Sequence, residues 1–206
     1  MTDGVIRVSS PTLPPVNERE ALRYMGVTGD ADSELLALLH SCMEESARAF
    51  TPRVCFREVL LRREGDLLDL GFARVRSTSL SKALCGCERV VLFAATVGLG
   101  IDRLIAAYSR ISPARAVCLQ AVGAERVEEL CDAVCKDLQE EYAKRGMTLR
   151  PRFSPGYGDL PLELQTDLFK VLDCQHFIGL TLNDSMLMSP SKSVTAIVGL
   201  REREMI

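Results

Sequence analysis

The chain has 206 residues, 47% of them hydrophobic and 26% charged, with a formal net charge of -3 at neutral pH. That length fits one large domain or two small ones, and it buries roughly 70% of the surface the unfolded chain exposes, enough to fold without disulfide staples. The mild acidity lacks the basic footprint that nucleic-acid binding leaves, and no run of 18 uncharged apolar residues reads as a membrane span. The start, MTDGVIRVSSPTLPP, has no charged segment leading into an apolar run, so the expected setting is cytoplasmic. There the eight cysteines are expected to be thiols, several of them inside apolar patterns where a free Cys acts as a small hydrophobe.

Residues 1–16 are read as an extended N-terminal segment, because SSPTLPPV (9–16) carries three prolines. Asp32 or Ser33 can cap a helix running to about Phe50, with Leu35, Leu38, Leu39, Cys42 and Met43 at helical spacing and Pro52 ending it. VCFREVLLRR (54–63) and LLDLGFARV (67–75) are strand-like, and Glu64-Gly65-Asp66 between them predicts a β-hairpin. SLSKALC (79–85) is one short helix, ERVVLFAATVG (88–98) a buried strand, and IDRLIAAYSR (101–110) a helix.

The strongest helical signal covers about 113–145. Ser112 is a good N-cap, Pro113 suits the first turn, Lys144 and Arg145 suit the last, and Gly146 can end it. At 1.5 Å per residue such a helix is roughly 50 Å long and spans the domain. PLELQTDLFKVLD (161–173) follows as a further helix with Asp159 near its cap, and GLTLNDSMLM (179–188) and SVTAIVGL (193–200) read as strands. No repeat and no linker divides the chain. The expected fold is therefore α+β, a single domain over 1–206 with a largely antiparallel twisted sheet packed by helices.

Most motifs that carry chemistry are incomplete. Cys85-Gly86-Cys87 lacks further ligands at metal spacing, so no metal site is expected. Gly98-Leu99-Gly100 sits where phosphate sites form, but position 103 is Arg where the dinucleotide fingerprint needs a third glycine, which favours a tight strand-to-helix turn. There is no G-x-S-x-G elbow, and His40 and His176 read as packed or surface residues. Glu125, Glu128, Glu129 and Asp132 cluster on the long helix, where a solvated face is the plain reading. RFSPGY (152–157) offers an arginine fork, a Pro-Gly turn with free backbone groups and an aromatic ring. It is either a plain turn or a loop that grips a carboxylate and a nucleobase together.

Three stretches, ERVVLFAATVGL with the following DRLIAAY and long helix, RPRFSPGYGDLPLELQ, and IGLTLNDSMLMSPSKSVTAIVGL, carry a resemblance over about 88–200. The chain resembles the reactivation domain of cobalamin-dependent methionine synthase, in the short stand-alone form. The resemblance implies binding of S-adenosylmethionine through Arg152, Ser154, Gly156 and Tyr157 of the loop and Glu129 of the helix. It aligns Glu125-Arg126 with the family's acidic-basic pair, whereas the family's ligand carboxylate near the N-terminus has no clear counterpart in residues 1–60. It further implies a corrinoid-binding methionine synthase core as partner, with cobalamin held there, and an electron donor such as a flavodoxin or ferredoxin. The implied role is that of an accessory methyltransferase subunit in methionine biosynthesis, presenting the methyl group of S-adenosylmethionine to reduced cobalamin. A different corrinoid methyltransferase as partner, or an interaction module without ligand, are the alternatives.

Overall fold

Strand β6 (Arg89–Thr96) is the centre of the fold, and its composition explains why. Every residue from Val90 to Thr96 is buried. Val91, Phe93 and Ala95 face one core, and Val90, Leu92 and Ala94 face another. A strand that is apolar at successive positions has no side to offer to water, so both faces of its sheet must be covered. It pairs antiparallel with β2 (Arg53–Leu60) and β10 (Ser193–Glu202), in a register that places Phe56, Phe93 and Ala196 side by side. The three-residue strands β1 (Arg7–Ser9) and β7 (Met147–Leu149) take the edges, giving the order β1-β2-β6-β10-β7, antiparallel throughout. This computed structural model describes residues 4–203. Residues 1–3 and 204–206, the two ends of the expected domain, lie outside the described residues.

One face of the sheet is covered by α1 (Glu18–Tyr24), α2 (Ser33–Ser46), α4 (Gly100–Tyr108) and α5 (Pro113–Ala143). The other carries α3 (Thr78–Ala83), α6 (Leu164–Leu172), α7 (Cys174–Ile178) and a small sheet of β3 (Arg62–Glu64), β4 (Leu67–Asp69) and β5 (Arg74–Arg76). The α+β fold with a largely antiparallel sheet is thus as expected.

Helix α5 is the long helix of the sequence reading, about 47 Å from end to end. Pro113 opens it, Ser112 holds the cap position without a side-chain capping bond, and Gly146, at φ 72°, turns the chain away after it. Its buried face meets the sheet, while α1, α2 and α4 pack around it. Near its C-terminal end, Glu58 of β2 accepts from Tyr142 Oη and Arg145 Nη1, both at 2.9 Å, and pairs with Arg89. The far end of α5 is therefore pinned to the sheet.

The structure corrects several element assignments. The expected 54–63 strand breaks at Leu61: β2 stays in the large sheet, and only β3 pairs with β4 across Gly65. Segment 179–188 is not one strand. It folds back as β8 (Thr181–Leu182) and β9 (Met188–Ser189), because Asn183 Oδ1 accepts from Ser185 N at 3.0 Å and Leu187 N at 2.9 Å and closes a turn. It does not pair with β10, whose neighbours in the large sheet are β6 and, at Leu200–Glu202, β7. Asp159 does not start α6; it caps α3 instead. The expected extended N-terminal segment contains β1, and α1 follows it, capped by Asn17.

Glycines 98 and 100 serve a close chain crossing. A Cβ on Gly98 would meet Thr51 Oγ1 at 2.0 Å, and one on Gly100 would meet the Ala49 carbonyl oxygen at 2.2 Å. The turn before α4 is thus filled by residues 49–51, in keeping with the tight-turn reading.

Candidate functional site

The loop 150–160 is fastened at both ends. Arg150 N donates to Gly199 O at 2.8 Å, and Phe153 exchanges two backbone hydrogen bonds with Ile197 of β10, at 2.9 and 2.8 Å. At the other end the Asp159 carboxylate accepts from Ser77 Oγ at 2.6 Å, Thr78 N at 2.7 Å and Ser79 N at 3.0 Å, at the first turn of α3. Between these anchors Gly156, at φ 87°, and Gly158, at φ 57°, bend the chain outward. Gly156 N donates to Leu160 O at 3.0 Å and closes the arc. Tyr157 stands on its crest, 68% exposed.

The Asp159 anchor has a pH consequence. The hydrogen bond from Ser77 and the amide of Ser79, with a lesser share from the Thr78 amide, hold its carboxyl far below the ordinary carboxylate range in spite of desolvation. A depressed folded-state pKa contributes stability that is full above the unfolded value of about 3.9 and fades as pH falls towards the folded one. The melting temperature of the wild type should therefore fall more steeply than that of Asp159→Asn between about pH 5 and pH 3. Parallel melting curves across that range would contradict the anchor.

A cleft of about 390 Å³ opens between this loop, α5, α6 and the start of β10. Its lining includes Glu128, Arg152 to Pro155, Tyr157, Gln165, Met188 and Ser193 to Thr195. The strand alternation gives it two distinct ends. At one, Arg152 reaches α5: its Nη1 donates to Asp132 Oδ1 at 2.8 Å, and its Nη2 pairs with Glu128. Glu128 and Asp132 are four residues apart on one helix face, so a single guanidinium can take both. Burial works against the Arg152 cation, but the negative charges of Glu128 and Asp132 are among the influences that more than offset this and raise its pKa. At the other end, on the α6 side of β10, the polar groups are neutral. Gln165 and Thr195 are almost fully buried, Gln165 Nε2 donates to Met186 O at 3.2 Å, and Ser193 Oγ donates to Pro190 O at 2.7 Å.

The structure brings Arg152, Ser154 and Tyr157 together at this cleft, with Gly156 shaping the arc between them. Glu129 is half-buried on α5 but does not line the cleft. Its neighbour Glu128 does, because one residue turns a helix by about 100°. Glu125 points elsewhere, into a buried pair with Arg126. Sequence reading did not single out Gln165, Met188, Ser193 or Thr195. The available signal was two hydroxyl residues at alternate positions of the otherwise apolar run SVTAIVGL.

The remaining motifs do not converge on this cleft. His40 pairs with Glu18, and His176 packs edge-on to Phe177 at 4.8 Å. All eight cysteines are free, and burial pushes the Cys131 thiol up to about 12 and the Cys42 thiol up to about 11, so these stay protonated packing groups. Among the described residues no group of three or more His, Cys, Asp and Glu is placed to hold a metal ion, and no helix is long and apolar enough to cross a membrane.

No protein-family model matches the sequence, and no curated protein matches it. The fold is similar to a solved one, the crystal structure of the MetH reactivation domain bound to AdoHcy, with a TM-score of 0.72 over 98% of this chain and 80% of that one. Sequence identity is 14%, so the likeness is one of fold.

Proposed function

We propose that this chain binds S-adenosylmethionine in the cleft between α5 and α6 and presents its methyl group to a reduced corrinoid held by a methionine synthase core protein. The observation that carries this reading is the division of the cleft into a charged end at Arg152 and Glu128 and a neutral end beneath the Ser154–Tyr157 arc. A volume of about 390 Å³ lies in the range of small-molecule sites. The shared fold with a domain solved in complex with AdoHcy supports the same ligand class.

In this reading the ligand's amino-acid part lies at the charged end. Its carboxylate takes the Arg152 N–H groups that Glu128 and Asp132 leave free, since a guanidinium carries five donors. The ammonium goes to Glu128, the carboxylate that lines the cleft, and Glu129 adds to the negative field beside it. The Ser154–Gly156 backbone and the Tyr157 ring border the adenosine. The corrinoid supplies the nucleophile when the partner docks, and the leaving group is a neutral thioether. The chain therefore needs no general acid. Its contribution is to hold the sulfonium methyl outward in a fixed orientation and to limit water around it.

The test is a reconstitution. A methionine synthase core without its own reactivation module is oxidised, then supplied with S-adenosylmethionine and a flavodoxin or ferredoxin system. Addition of this chain should restore turnover. Restoration that is absent across candidate cores, with ligand binding intact, would point to a different corrinoid methyltransferase as partner.

A further inference from the structure

Thr195 is an anomaly in β10. From Ala196 to Leu200 the buried strand is built of Ala, Ile, Val, Gly and Leu, and Thr195 just before this run is 2% exposed. Its Oγ1 is shut off from water and has no hydrogen-bond partner. Across the strand pair it faces Ala94, which offers no side-chain acceptor. A buried hydroxyl without a partner destabilises the empty protein relative to valine, which has nearly the same shape. Folding therefore gives no reason for a hydroxyl at this position.

Its placement gives one. Thr195 lines the cleft together with Gln165 and Ser193, the other polar side chains buried deeper than nine-tenths there. Strand alternation puts Thr195 on the same side as Ile197, towards α6 and away from the Arg152–Glu128 pair. The bridge Phe153↔Ile197 runs antiparallel, so Thr195 lies alongside the Pro155–Tyr157 arc. A turn of about 120° about χ1, to another staggered rotamer, carries the hydroxyl into the place of the methyl and the methyl into that of the β-hydrogen, and so can present Oγ1 to a seated ligand.

We infer that Thr195 is a ligand-positioning residue whose hydroxyl hydrogen-bonds the nucleoside half of the ligand and sets the affinity for that half. The inference rests on the S-adenosylmethionine reading of the cleft. Gln165 holds the β8–β9 turn through Met186 O and thereby frames the same end. The protein accepts an unsatisfied hydroxyl when empty in exchange for a contact made when loaded, a common pattern of stability given up for function.

Calorimetric titration of the wild type, Thr195→Val and Thr195→Ser with S-adenosylmethionine and with 5′-methylthioadenosine tests this. The second ligand keeps the nucleoside and lacks the amino-acid end. Thr195→Val should melt at or above the wild-type temperature without ligand, yet bind both ligands about tenfold more weakly. Thr195→Ser, which keeps the hydroxyl, should bind both within about threefold of the wild type. Thr195→Val binding both ligands like the wild type would overturn the inference and leave the S-adenosylmethionine reading intact. Weakened binding of S-adenosylmethionine alone would overturn the assignment to the nucleoside half. A wild type that binds neither ligand would remove the inference together with the reading beneath it.

Discussion

Replacing Arg152 with alanine is expected to weaken S-adenosylmethionine binding tenfold or more in a protein that stays folded. The Arg152 side chain is 27% exposed at the charged end of the cleft, its guanidinium paired with Glu128 and Asp132. A forked, charge-assisted contact to a ligand carboxylate in such a half-buried position contributes about 1.5–3 kcal/mol, and about 1.4 kcal/mol is already a tenfold change in affinity. The cost to folding is smaller. The side chains of Glu128 and Asp132 are 42% and 72% exposed, so solvent screens what the mutation leaves unpaired. Pairs of this kind contribute about 0–1 kcal/mol each. Equilibrium dialysis with labelled ligand, beside a melting curve, separates the two effects. Wild-type affinity in a folded Arg152→Ala protein would remove Arg152 from the site.

The largest effect on stability is expected at Arg126. Glu125 and Arg126 form a forked pair on α5 with side chains only 4% exposed. Arg126 Nε donates to Glu125 Oε2 and its Nη2 to Oε1. The pair also anchors the N-terminal segment: Arg126 donates to the carbonyl oxygens of Pro14 and Pro15, and Asn17 N donates to Glu125 Oε1 at 3.0 Å. Removing one member leaves the other charge buried without compensation, which costs about 3–5 kcal/mol. Arg126→Met should therefore lower the unfolding free energy by that amount in urea denaturation. The double variant Glu125→Leu/Arg126→Met should lose less than the single one, because no buried charge then remains. Single and double variants with additive losses would contradict this account of the pair.

The same pair shows where sequence reading stops. Glu125-Arg126 was legible as part of an acidic cluster, and a solvated face was the plain reading. The structure buries both, because the proline-rich segment 11–15 lies over them and supplies carbonyl oxygens that a helix pattern does not reveal. The long helix was legible because Pro113 and Gly146 bracket a sustained periodic pattern. Strand β6 was legible because apolar residues at successive positions leave it no exposed side. Segment 179–188 was not, since its turn is built by Asn183 with a left-handed Met186 and contains no glycine to announce it. Helix α1 was missed because only seven residues long and largely charged, it shows almost no apolar period.

The cleft divides along the same line. Arg152, Ser154 and Tyr157 lie in one short loop and were legible together. Glu128 was not, because one residue of register between a loop and a distant helix decides which of two adjacent glutamates faces the guanidinium. That register is a product of packing: the Glu58 contacts pin the end of α5, and the Phe153–Ile197 bridge pins the loop. Asp159 likewise looked like the start of the next helix. It serves α3, far away in sequence, because three donors meet its carboxylate there.

Direct titration of the wild-type chain with labelled S-adenosylmethionine by equilibrium dialysis tests the central claim. The account predicts saturable binding at one site per chain with a dissociation constant below about a millimolar. A folded chain with no saturable binding up to several times that concentration, about five millimolar, would contradict it.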